Sequence, residues 1–183
     1  DPNEKIGPVG VGPNRVVSAD EELGYSIFFE NVITATAPAQ QVVILDTLDP
    51  DLDWNAFQPT EVAFSNQVIA ISEQGGGFYA RATIPDYRPD ESQTWWVDIS
   101  IMMDYEMGIA TWTFTTLDPL TGQPPTDPLA GFLPPEDGTG RGQGHLVGDA
   151  RDAEVGDLDA PLGRHQHVAG LDVAVDQAGL VRG

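Results

Sequence analysis

The sequence predicts an all-β fold, an Ig-like Greek-key β-sandwich, and three observations carry that prediction. Apolar and polar residues alternate over short runs, as where Tyr25, Ile27 and Phe29 interleave with Ser26 and Glu30, which is the period of a strand with one buried face. Roughly seven or eight such runs succeed one another, divided by clusters of Gly, Pro, Asn and Asp, the spacing of a sandwich. No stretch of about a dozen residues carries a helical period with caps.

Element by element, Val16-Val17 is expected to begin a first strand after a Gly/Pro-rich lead. Tyr25 to Phe29 follows, with Phe28 on its polar side implying partial cover there. Gln41 to Leu45 reads as a short, continuously apolar strand. Glu61 to Phe64 and Gln67 to Ile71 flank Ser65-Asn66, a two-residue hairpin signal. Gly75-Gly-Gly77 turns the chain into Phe78 to Ile84, which Pro85-Asp-Tyr-Arg-Pro89 ends. Trp96 to Met103 places Val97, Ile99, Ile101 and Met103 on one face against Asp98 and Ser100 on the other. Gly108 then turns into Ile109 to Leu117, with Trp112 and Phe114 on one side.

The alphabet narrows after Thr139. Residues 140–183 are drawn only from Leu, Val, Ala, Gly, Asp, Glu, Arg, His, Gln and Pro, the ten residues encoded by codons beginning with G or C. Two readings follow: translation from a wrong frame or strand, or a natural low-complexity acidic linker. On either, the segment lacks the aromatic and β-branched residues that anchor a core, although Val168 to Val175 has the composition of a weak strand. The expected division is therefore a sandwich module over 1–145, lacking its last strand or two, and a low-complexity tail over 146–183, disordered or a frame artefact.

Composition excludes several function classes. Twenty-nine acidic residues face eight basic ones, a net charge of −21, and Lys5 is the lone lysine. Such a surface repels phosphate backbones and anionic lipid headgroups, so neither nucleic acid nor membrane insertion is expected. The absence of cysteine removes disulfides and thiol chemistry. The opening Asp1-Pro-Asn3, without Met, is that of a fragment of a longer chain.

The strand pair Tyr25-Ser-Ile27 to Asn31, then Ala37-Pro-Ala39 and Asp46-Thr-Leu48, resembles the repeat family called domain of unknown function eleven. A wider frame is similar to a related module of large bacterial surface proteins. It opens on Asp1-Pro-Asn-Glu-Lys5, carries Leu117-Asp-Pro-Leu-Thr-Gly122 and Asp127-Pro128, and closes on Gly131-Phe-Leu-Pro-Pro135. The resemblance implies a non-catalytic spacer in a secreted or cell-surface protein. Its partners would be neighbouring modules of the same polypeptide, or a glycan or surface protein.

Candidate chemistry is confined to acidic loops and tryptophans. Asp46, Asp49, Asp51 and Asp53 fall close together before Trp54, and loop carboxylates at such spacing suit Ca2+. Asp1, Asn3 and Glu4 make a second set, and Asp118, Asp127, Glu136 and Asp137 a third. The plain alternative is that these side chains cap the amides of their own turns. Trp54 and Trp95 are the candidates for stacking on a sugar ring; the plain alternative buries one member of the Trp95-Trp96 pair. A lone lysine in a sandwich can also be consumed in an intramolecular Lys–Asn amide beside a buried acid, for which Asp46 is the candidate, with no Asn partner nameable; the plain alternative is a solvated Lys5. His145, His165 and His167 all lie in or beside the restricted segment. No hydrolase, phosphate-loop or zinc-protease motif is present, and an acidic pair hydrolysing a glycoside is the remaining enzymatic reading.

Overall fold

The computed structural model describes residues 3–13, 22–152 and 171–176. Its strands are β1 (Glu4–Ile6), β2 (Glu22–Glu30), β3 (Gln41–Thr47), β4 (Leu52–Phe64), β5 (Gln67–Ala70), β6 (Ser72–Gln74), β7 (Gly77–Pro85), β8 (Thr94–Asp104), β9 (Ile109–Leu117), β10 (Gln143–Asp152) and β11 (Leu171–Asp176). They form two antiparallel sheets, ordered β1-β2-β10-β4-β5 and β11-β3-β9-β8-β7-β6. The all-β sandwich is the architecture that the alternation implies. Val16-Val17 lies outside the described residues.

The period-two pattern decides the faces. Tyr25, Ile27 and Phe29 on β2 face Val42, Ile44 and Asp46 on β3, and Val97, Ile99, Ile101, Trp112 and Phe114 fill the other inner face. Rings of Phe29, Phe64, Phe114 and Phe132 meet at centroid separations of 5.1–6.2 Å, the offset and edge contacts that aromatic quadrupoles favour. Phe132 comes from the long connection between β9 and β10, which covers this end of the sandwich. Phe28 is on the outer face, beside the ring of His145 at 5.7 Å. β3 is less uniformly buried than its apolar run implies: Leu45 is exposed, and the strand alternates instead.

The hairpins obey their turn residues. Ser65 adopts φ +55° between β4 and β5, and Gly75 and Gly76 adopt +60° and +85° between β6 and β7, the left-handed values that tight hairpins need. β4 starts earlier than expected, taking in Asp53 and Trp54, because Leu52 and Trp54 pack against the core. Pro59 cannot donate to a ladder, and the register with β10 shifts there, from Glu61↔Val147 to Pro59↔Gly148.

The largest departure from expectation is β10. A sandwich lacking its final strand was expected, with a boundary after residue 145; instead β10 crosses that boundary and lies between β2 and β4. Aromatic residues are not required on this strand because its neighbour supplies them. Gly144 sits opposite Phe29 and Gly148 opposite Tyr25, and both rings occupy the space above the glycines. Leu146 between them is fully buried. β11, pairing with β3 from Leu171 to Asp176, corresponds to the weak strand expected over 168–175.

Candidate functional site

Lys5 and Asp46 meet inside the sandwich. Among the described residues β1 pairs only with β2, which sets Lys5 opposite Ile27, on the inner side of the sheet edge. β3 turns Asp46 inward by the same alternation that buries Val42 and Ile44. Nζ of Lys5 stands 2.6 Å from Oδ1 of Asp46, whose side chain is wholly buried, and 4.4 Å from the centroid of the Tyr25 ring. Oδ2 of Asp46 and the Tyr25 hydroxyl are buried without a hydrogen-bond partner among the described residues. Burial, then the negative charge of Asp46, raises the Tyr25 hydroxyl well above the ordinary tyrosine value.

A second cluster closes the loop after β7. Arg88 forks onto Asp86 through Nε (2.9 Å) and Nη2 (2.7 Å) and reaches Asp127 through Nη1 (2.9 Å). Trp95 Nε1 donates to the same Asp86 at 2.9 Å. The Arg88 hydrogen bonds, outweighing burial, pull the Asp86 carboxyl down to about 2. On the outer face of β7 and β8, Arg81 forks onto Asp98 and lies 4.4 Å over the Trp96 ring. Arg81 and Asp98 line an open groove together with Tyr79, Ser72 and Gln74.

A third cluster ties loops rather than charges. Asn31, buried at the end of β2, donates its side-chain amide to the carbonyls of Ala37 and Leu133, each at 3.0 Å. Its backbone bonds Gly142 and Glu136. Ala39 bridges Leu133, and Phe132 donates back to the Ala39 carbonyl. Gly131 is required here, since a β-carbon would stand 2.6 Å from that carbonyl oxygen. Residues singled out far apart in sequence, Asn31, Ala37 to Ala39 and Gly131 to Pro135, therefore form one knot at one end of the sandwich.

The acidic candidates are placed apart. Asp46 is taken by Lys5, a correction to its reading as a calcium ligand: the inward phase of β3 puts it in the core. Asp49 and Asp53 cap the amides of Asp51 and Asn55. Asp118, Asp127 and Asp137 cap amides two residues on, and Glu136 accepts from Gly138, Gly140 and Gly142. Short acidic side chains in turns bond their own backbone before they bond each other. Among the described residues, no three acidic or histidine side chains gather as a metal would need. Asp1, His165 and His167 lie outside the described residues.

The tryptophans also divide. Trp95 is buried at 3% exposure with its N–H on Asp86, which removes it as a sugar-stacking residue. Trp96 is its half-buried neighbour on the outer face. Trp54 donates to the Asp49 carbonyl at 3.0 Å, and its ring covers Gly108, where a β-carbon would stand 2.5 Å away at φ +68°. Sequence reasoning passed over Asp86 and Arg88, taking Pro85-Asp-Tyr-Arg-Pro89 only as the end of a strand. The signal present was an acid and a base two residues apart between prolines; which distant carboxylate joined them was not legible.

No curated protein and no solved structure matches the chain. Residues 1–96, which run from β1 into the start of β8, match the family described as Domain of unknown function (DUF7619). That description differs from the repeat family named by the β2–β3 strand pair, and what it shares with it is an uncharacterised, β-rich domain. Because the match takes in more than half of the 183 residues, the chain belongs to this family, Domain of unknown function (DUF7619).

Proposed function

We propose that this chain is a non-catalytic spacer module of a large secreted or cell-surface bacterial protein, a unit that holds neighbouring modules of the same polypeptide apart. The observation supporting this reading is where the polar side chains are spent. Asn31, Asp46, Asp86 and Glu136 each bond groups of the same fold, as suits a unit built for rigidity rather than turnover. The resemblance of the Tyr25 to Leu48 strand pair to the domain-of-unknown-function-eleven repeats adds to it. So does a charge of −21, which keeps an extended stalk solvated and its units mutually repelled.

The test is mechanical. The full chain, placed between reference modules of known strength and pulled from its ends, should unfold in one discrete, high-force step. Extension without a force peak overturns the spacer reading. The competing reading, recognition of a carbohydrate or surface partner, uses the groove beside Arg81 and Asp98 or the ring of Trp54. Specific retention of a glycan on an array, lost on Trp54→Ala or Asp98→Ala, would replace the spacer by a binding module.

A further inference from the structure

A lysine amine and a buried aspartate in contact can do more than attract each other. We propose that Lys5 and Asp46 condense into an intramolecular amide bond that covalently joins β1 of one sheet to β3 of the other. The separation of 2.6 Å between Nζ and Oδ1 brings the carboxyl carbon close to the near-attack distance of about 3–3.5 Å. The two residues come from different sheets, so the fold rather than local chain flexibility holds them in place.

The condensation needs only the atoms of the pair, held in contact by the fold. The first step is transfer of a proton from Nζ to the carboxylate. The nitrogen lone pair then attacks Cγ, a C–N bond forms, and the carbonyl electron pair moves onto oxygen. A second proton passes from nitrogen to the carboxyl hydroxyl, the C–O bond breaks, and that oxygen leaves as water. The third ammonium proton stays on the amide nitrogen, so no oxidant, reductant or activated donor is required.

The neighbours fit this step. Oδ1 of Asp46, in contact with Nζ, takes the protons and departs as water, while Oδ2, which has no hydrogen-bond partner among the described residues, becomes the amide oxygen. The Tyr25 ring lies beneath Nζ, and its hydroxyl is buried and likewise without a partner. It is the neutral O–H group available to carry a proton between nitrogen and oxygen. The product replaces two buried charges by one neutral amide. It fastens β1, an edge strand of three residues, against peeling.

This inference stands apart from the spacer reading, because the bond is read from mass and not from mechanics or binding. The full chain, folded and incubated at neutral pH, is expected to weigh less than its sequence by one water. Lys5 is the lone lysine, so trypsin should fail to cut after it. The fragment 1–15 should remain joined to fragment 16–81, which contains Asp46. Lys5→Arg keeps the ion pair but has no amine to condense, and should return to the full sequence mass. A wild-type chain of full mass that is cleaved after Lys5 overturns the proposal. So does a water loss that persists in Lys5→Arg, which would place the dehydration elsewhere, for instance at Asp137-Gly138.

Discussion

The ring of Phe29 occupies the space where a side chain on Gly144 would stand, and this cross-strand fit seats β10 between β2 and β4. Gly144→Val would drive a branched side chain into a ring that is itself buried against Phe114. Overpacking of this kind costs about 1–3 kcal/mol, with more to come from the neighbouring ladder. The expected outcome is a lower urea midpoint with an unchanged slope. An unchanged midpoint would mean that β10 does not occupy the middle of the sheet.

The same placement makes truncation informative. A chain ending at residue 142 loses β10 and leaves the inner edges of β2 and β4 unpaired, so it should fail to fold cooperatively and should aggregate. Of the described strands, a chain ending at 152 loses only β11, from the edge of the second sheet, and should still melt in one transition. Circular dichroism melts of both would decide whether the restricted segment is part of the fold.

Asn31 satisfies two carbonyls from segments far apart in sequence. Asn31→Ala leaves the Ala37 and Leu133 carbonyls without their donor, at a cost of roughly 1–3 kcal/mol for each stranded polar group. Asn31→Asp should be worse, because a carboxylate would face those oxygens with no proton to donate. Thermal melts should rank wild type above Asn31→Ala, and Asn31→Ala above Asn31→Asp.

Asp86 predicts part of the acid response. Arg88, the main cause, holds its folded carboxyl at about 2, below the ordinary aspartate value of 3.8 that the unfolded chain regains. With the folded value depressed, the ionised pair stabilises the fold fully above the unfolded value. That stability is lost as pH falls through 3.8 towards about 2. The gap corresponds to about 2 kcal/mol. Asp86→Asn should melt lower at neutral pH and lose less stability than wild type between pH about 4 and 2. Parallel curves for the two proteins in that window would refute the assignment.

Calcium gives a fifth check. Since Asp49 and Asp53 cap backbone amides and Asp46 holds Lys5, the melting temperature should be the same in calcium and in chelator. A rise with increasing calcium, following RT ln(1 + [L]/Kd), would show instead that the loops re-form around an ion.

The amino-acid sequence by itself determined the fold class, the phase of nearly every strand and the hairpin turns, because these depend on near neighbours. Tyr25, Ile27 and Phe29 must share a face whatever lies opposite, and Gly75-Gly76 turns tightly wherever it occurs. Ser65-Asn66 was legible for the same reason. What only the tertiary structure decided was every relationship across the two sheets. Composition argued against a strand at 143–152, since a run of Gly, Leu, Val and Ala anchors nothing alone; it is anchored because Phe29 and Tyr25 project over its glycines. Asp46 looked like one more loop carboxylate, yet β3 carries it inward to the one lysine, from the far end of a separate sheet. Arg88 needed Asp127 to close its clamp, and their meeting depends on how a long loop folds back. Short-range geometry is written in residue spacing, whereas long-range pairing depends on shape and charge that different segments present to each other only once packed.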